Sequence, residues 1–426
     1  MGSGKGSKRV ISKVHYIVGI LLVAVPPLLA EGTNTLTLPQ VIAESWANNA
    51  QLQSLKQKTG AMEARSQQAG ALANPLLTYR GMDSANGGKW PNTDEKRIEI
   101  EQTFPWPGKR GLTQVMTAKA ADAAKFEVAA TTLDVEMLAA EAFYGLSVAQ
   151  QSLEIIRAEE ALLRRIETLT TLRYTTGADG QQDVLKAQTE ITMLKQKEIE
   201  LEARELTLKN KLNTIMNRPV KTVIGRVKGP PEQSVSADEG EQISIKALVH
   251  RPELQLAQAR IERAQAERAY MGKESLPDYK VGLEYRSMPG DDQAMFMVGI
   301  ELPIWRSKIR AGIRGANRMV ESEQAAREAA ERQVMQEVQD ALTQIQAAQR
   351  TLELTRKELI PQAELRFSAS EAGYRSGGKA DFMDLLESER FLLNARVMAV
   401  MAEAELGMQW ARLARAVGVS VLEVLK

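Results

Sequence analysis

At 426 residues the chain has room for two or three ordinary domains, and its lack of cysteine excludes disulfides, thiolate metal sites and a cysteine nucleophile. Lys and Arg total 55 against 54 Asp and Glu, so no basic footprint points to nucleic acid. Aromatics make up only 5%, and the wealth of Ala, Glu, Gln, Leu and Arg suits long helices in coiled-coil contact more than a compact mixed core.

In chain order, Lys5, Lys8, Arg9 and Lys13 precede an apolar run from Ile17 to Ala30, the layout of a secretory signal over residues 1–30. As a membrane anchor this run is short, and it contains Pro26-Pro27. A first repeat is expected over 31–220. Thr37 is placed to cap a helix that runs to about Ala73, where Asn74-Pro75 ends it. A β-hairpin over 76–104 follows. Leu77 and Tyr79 precede a Gly/Asn-rich loop, and Ile98, Ile100 and Phe104 then alternate with Glu99, Glu101 and Thr103. From Leu112 to Pro219 there is no proline, and the one interruption is Arg173 to Gly180. This predicts a helical hairpin with its tip near 173–183 and a first arm of roughly 90 Å at 1.5 Å per residue. The returning arm carries Leu194, Leu201, Leu208 and Ile215 at heptad spacing, which favours left-handed supercoiling.

Residues 221–242, rich in Gly, Pro, Ser and charge, are expected to form a linker or equatorial segment. A second repeat over 243–426 then follows the same programme. Phe104-Pro105 answers Leu302-Pro303, and Tyr174-Thr175-Thr176-Gly177 answers Tyr374-Arg375-Ser376-Gly377. Its β-hairpin lies at 278–302: Val281, Leu283 and Tyr285 share one face, and Phe296, Val298, Ile300 and Leu302 another across a Pro-Gly-Asp-Asp turn. Val338, Ile345, Leu352 and Leu359 repeat the heptad, Pro361 is expected to kink the arm, and the second tip falls near 374–387.

Each strand is about as long as a tilted membrane strand, roughly 9–11 residues. Lipid cannot satisfy an open sheet edge, and the smallest barrels need about eight strands. Four strands cannot close a barrel, whereas three chains supply twelve. The expected fold is therefore mainly α with a small β part. Duplicated helical hairpins and two β-hairpins would trimerise into a 12-stranded outer-membrane β-barrel, continued by a periplasmic α-helical barrel. The alternative is a soluble periplasmic coiled-coil adaptor or scaffold whose hairpins are small soluble sheets. No acid–base pair, triad or cofactor fingerprint is present, so neither an enzyme nor a bound cofactor is expected.

The duplication, the hairpin in each repeat and the two tips resemble the TolC-like outer-membrane efflux proteins over nearly the whole chain beyond the signal. The second tip, Glu371-Ala372-Gly373-Tyr374-Arg375-Ser376-Gly377 followed by Asp384-Leu385-Leu386-Glu387, is close to the family pattern, with one residue more than usual between Tyr374 and Asp384. Phe104-Pro105-Trp106-Pro107-Gly108-Lys109-Arg110 is similar to the branch serving heavy-metal efflux pumps. The resemblance implies a homotrimeric exit duct in the outer membrane. It would reach across the periplasm to an adaptor protein and an inner-membrane pump of the resistance-nodulation-division type.

The resemblance also implies roles at the tips. Asp183 of one hairpin would latch to Tyr374 and Lys379 of a neighbour, against the simpler reading that Asp183 caps its own helix. Asp384 and Glu387, tripled, would line the pore with acidic rings, against the simpler reading of a solvated face beside Arg390. Arg173, Tyr174, Gly177 and Gly377 would meet the adaptor. Trp106 and Trp305 each follow a strand end and suit either a membrane-interface girdle or packing at the strand-to-helix joint. With His250 the only histidine after the signal and the 17 Met scattered, no metal site is predicted.

Overall fold

The structure, a computed structural model, describes residues 35–82, 95–177, 180–229, 240–376 and 381–424. The signal run, Gly377 and Lys379 lie outside the described residues.

Helices α1 (Leu38–Asn48) and α2 (Ala50–Ala69) occupy the stretch read as a single helix to about Ala73. The break falls at Asn49, whose extended backbone stops α1 while its side chain accepts from the amides of Gln51 and Leu52 and caps α2. Strands β1 (Leu76–Met82) and β2 (Glu95–Phe104) lead into α3 (Lys109–Thr175), at 67 residues about 100 Å long. Helix α4 (Gln181–Ile215) returns along it. In the second repeat α5 (Gly240–His250) and α6 (Pro252–Lys273) are again two helices, parted because Pro252 starts the second. Strands β3 (Asp278–Met288) and β4 (Asp291–Glu301) precede α7 (Arg306–Leu354), α8 (Ile360–Arg375), α9 (Phe382–Val417) and the short α10 (Val421–Val424). Pro361 is absorbed by one wide π turn, Thr355–Leu359, which loosens the ladder where the proline ring would otherwise collide with the preceding turn.

The two hairpins do not form separate ribbons. Strand β2 pairs antiparallel with β3, making one sheet in the order β1-β2-β3-β4. Register places Leu77 beside Ile100, Ile100 beside Leu283 and Leu283 beside Phe296. The middle of this face is thus apolar from edge to edge, and it is exposed: Leu283 at 57% and Phe296 at 67%. The opposite face carries a ladder of charge. Arg97 and Arg286 both reach Glu95, at 2.5 and 2.9 Å, Arg80 reaches Glu99 at 3.2 Å, and Lys280 reaches Glu101 at 3.3 Å. Among the described residues β1 and β4 are paired on one side only.

Helix α3 changes neighbours along its length. Near the strands it packs on α2 and α6 through Lys125–Glu63 and Lys119–Glu262; toward its tip it packs on α4 through Arg157–Glu198. The heptads in α4 and α7 face these contacts, with Leu194, Val338 and Ile345 buried. The main core lies at mid-length, where Ile42, Phe143, Tyr144, Leu212, Met216 and Trp410 meet. Buried there, Glu136 accepts from the Trp46 indole, the Ser420 hydroxyl and the Val421 amide; burial raises its carboxyl pKa against the pull of these donors. Arg251, also buried, donates to the carbonyls of Arg415 and Ala416 and to Glu253. Those carbonyls end α9, whose last orphan acceptors need such donors. At the same point Gly418 takes φ +85° to terminate the helix, and an added Cβ would lie 2.8 Å from the Arg251 Cα.

Candidate functional site

Two regions gather the residues singled out by the sequence: the tips of the helical hairpins and the joint between strands and helices.

At the tips, the first hairpin (α3, α4) and the second (α8, α9) meet through Arg173 and Tyr374. The Arg173 guanidinium stands 4.6 Å from the centroid of the Tyr374 ring and donates to the Tyr374 carbonyl at 3.0 Å. Tyr374 is only 2% exposed; its hydroxyl donates to Thr170 of α3 at 3.2 Å, and its ring meets Phe382 edge-on. Below, Arg390 of α9 grips Glu190 of α4 in a two-pronged ion pair, with the Nε contact at 2.8 Å. Sequence reading assigned Arg173 only an outward role, placed Arg390 on a solvated face and passed over Glu190, because pairs about 200 residues apart carry no local periodicity. The repeat offset was the one available clue.

Asp183 occupies the first turn of α4 and accepts from Lys186 at 3.0 Å. Asp384 completes a capping box at the start of α9: it accepts from the Asp381 amide at 3.2 Å, and Asp381 accepts from the Asp384 amide at 2.9 Å. Glu387 is exposed, 3.8 Å from Arg366. Tyr174 is exposed, and Gly177 takes φ +77°, the left-handed backbone that lets α3 stop sharply. Among these residues the single chain brings Arg173 and Tyr374 together, and the acids serve helix starts and local pairs.

At the joint, Asp278 at the start of β3 accepts from the Trp106 amide at 2.7 Å and from Lys109 Nζ at 2.9 Å. Lys109 is buried at the first turn of α3, next to the unfavourable pole of the helix. Desolvation pulls its pKa down, but the bond to Asp278 and the charge of Glu274 outweigh it, so the net shift is upward. Trp106 is half-buried and packs against Tyr279, centroids 5.4 Å apart. Trp305 is instead exposed, where β4 gives way to α7. The two tryptophans therefore differ: Trp106 packs the joint, while Trp305 points an indole outward. Among the described residues no group of three or more His, Cys, Asp or Glu gathers as metal ligands, and no helix is long and apolar enough to cross a membrane.

No curated protein matches the chain in sequence at a significant level. Solved structures do match in fold. The outer-membrane channel OprN aligns at a TM-score of 0.78 and 17% identity, covering 90% of each chain. The outer-membrane protein VceC of Vibrio cholerae aligns at 0.75 and 19%, covering 90% of this chain and 96% of its own. CusC, described by its transmembrane channel formation, aligns at 0.75 and 16%, covering 92% and 96%. Residues 244–419 match the outer membrane efflux protein family. The family match thus lies in the second repeat, in a chain whose fold is similar to those outer-membrane channels over about nine-tenths of its length.

Proposed function

We propose that three copies of the chain assemble into the exit duct of a tripartite efflux system. Four strands from each chain would close a 12-stranded barrel in the outer membrane, and the helices would continue it as a tube across the periplasm. The observation that carries this reading is the sheet: one face is apolar and exposed through its middle rows, and both edges lack a partner among the described residues. Water penalises that face and lipid penalises those edges, and closing the sheet with other copies in a bilayer removes both costs. The charge ladder on the opposite face then lines a wet lumen, as barrel interiors do.

The duct is passive. No nucleotide-binding fingerprint is present, so the work of transport falls to an inner-membrane pump of the resistance-nodulation-division type, joined through a periplasmic adaptor. Arg173, Tyr174, Gly177 and Gly377 at the tips are the proposed adaptor contacts. Asp183 with Tyr374 and Lys379 of a neighbouring hairpin is the proposed latch, though Tyr374 already serves its own chain through Arg173 and Thr170. Asp384 and Glu387 are proposed to ring the narrowest point in acid and favour cations. Metal cations are the proposed cargo on the strength of the Phe104-Pro105-Trp106-Pro107-Gly108 motif, and Trp305 is the proposed girdle residue. Membrane fractionation tests the whole. A protein recovered with the outer membrane, running as a trimer that collapses on boiling and conducting in planar bilayers, supports the duct. A monomer soluble without detergent overturns it in favour of a periplasmic scaffold.

A further inference from the structure

The contacts described so far leave one buried pair without a role. Glu389 of α9 is 1% exposed and Glu159 of α3 is 3% exposed. Around them pack Ile156, Leu163, Phe382, Leu385, Leu386 and Leu393. Glu389 lies close enough to Glu159 to feel its carboxyl and its charge, and both Glu389 oxygens are buried without an N–H or hydroxyl partner. Two ionised carboxylates would repel in such a site, so one of the pair keeps its proton.

The surrounding charges are committed elsewhere. On α3, Glu160 meets Arg164. On α9, Arg390 meets Glu190 of α4, Glu387 meets Arg366 of α8, and Arg396 meets Glu364 of α8. On α4, Lys186 meets Asp183. A metal ion is a poor occupant: no third His, Cys, Asp or Glu joins the pair among the described residues, and the walls are aliphatic and aromatic.

We propose that Glu159 and Glu389 form a proton-binding pair that fastens the first helical hairpin to the second, so that their packing loosens as pH rises. Proton-dependent packing stands on the single chain; its effect on pore opening rests on the duct proposed above. Burial foremost, then the Glu159 carboxyl and its charge, push the Glu389 carboxyl up from 4.5 to about 9. An acid raised in the packed state contributes most at low pH. Its contribution is whole below about 4.5, erodes as pH climbs through the window and is gone above about 9. Within that window the ratio of parted to packed hairpins rises by up to about tenfold per pH unit for each chain.

Because the chain has no cysteine, spin labels can be placed at will. Labels at the exposed positions Arg165 and Asn394, introduced as Arg165→Cys and Asn394→Cys, report the distance between α3 and α9 by pulsed electron spin resonance in detergent. The expected result is a population at longer distance that grows several-fold from pH 5 to pH 9. Glu389→Gln keeps the shape without the titration, and it should hold the short distance at every pH; Glu159→Gln serves as the second variant should the first fold poorly. A distance that ignores pH, or a pH response that survives both substitutions, overturns the proposal. Conductance read beside it keeps the two ideas apart: a moving distance in a protein that never conducts supports the proton pair and sinks the duct.

Discussion

The orientation of the sheet is open to a sharp test at Leu283. This residue sits midway along β3, between Ile100 and Phe296, on the apolar face. If that face meets lipid, Leu283→Arg places a cation near the middle of the bilayer, which costs about 2–4 kcal/mol in a barrel strand. Three copies raise the cost to roughly 6–12 kcal/mol per assembly, comparable with the whole stability of an ordinary domain. Met295 provides the control, since it lies on the opposite face and directly faces Glu284 in the register. Met295→Arg gains an acidic neighbour in a wet lumen, and its cost should stay within about 1 kcal/mol. The assay is the yield of heat-dissociable trimer in the outer membrane, followed by urea unfolding in vesicles. Equal loss for the two variants, or wild-type yield and unfolding midpoint for Leu283→Arg, would refute the assignment of faces.

Three further outcomes are expected. Gly418→Ala combines a left-handed residue with a Cβ 2.8 Å from the Arg251 backbone, so it should destabilise the chain by about 2–4 kcal/mol, seen as a lower thermal midpoint. Arg173→Ala removes a ring contact and a charged hydrogen bond to the Tyr374 carbonyl, together about 1.5–3 kcal/mol at the tips; it should raise single-channel conductance, and unchanged conductance would count against a gate there. Asp384→Asn with Glu387→Gln should abolish pore block by a trivalent cation, whereas block that persists would leave Asp384 as only the helix cap seen in the chain.

Much of the architecture was legible because it is written in local periods. Period-two alternation at Ile98–Phe104 and Val281–Tyr285 marked strands, and heptads such as Leu194–Leu201–Leu208 marked packed helices. Features built by a single residue were harder to see. Asn49 splits the first helix with an ordinary polar side chain, and the π turn ahead of Pro361 has no residue pattern of its own. The pairing of β2 with β3 joins strands more than 170 residues apart, and no local pattern announces it. The same holds at the tips. Asp183 and Asp384 stood out because they follow turn motifs; within the chain Asp183 pairs with Lys186 and Asp384 caps the start of α9. Glu159, Glu190, Arg390 and Glu389 sit inside long amphipathic runs, where a charged residue reads as solvent-facing until the neighbouring helix is in place.

The one-sided pairing of β1 and β4 bears on inheritance as well as on assembly. If three copies close the proposed ring, every subunit supplies a third of the turn that no other can replace, so one faulty copy spoils the vessel it joins. With sound and faulty alleles expressed equally and mixed at random, only about one ring in eight would be intact. Strand-edge lesions should therefore behave as dominant poisons, and lesions that prevent the chain from folding at all should be recessive.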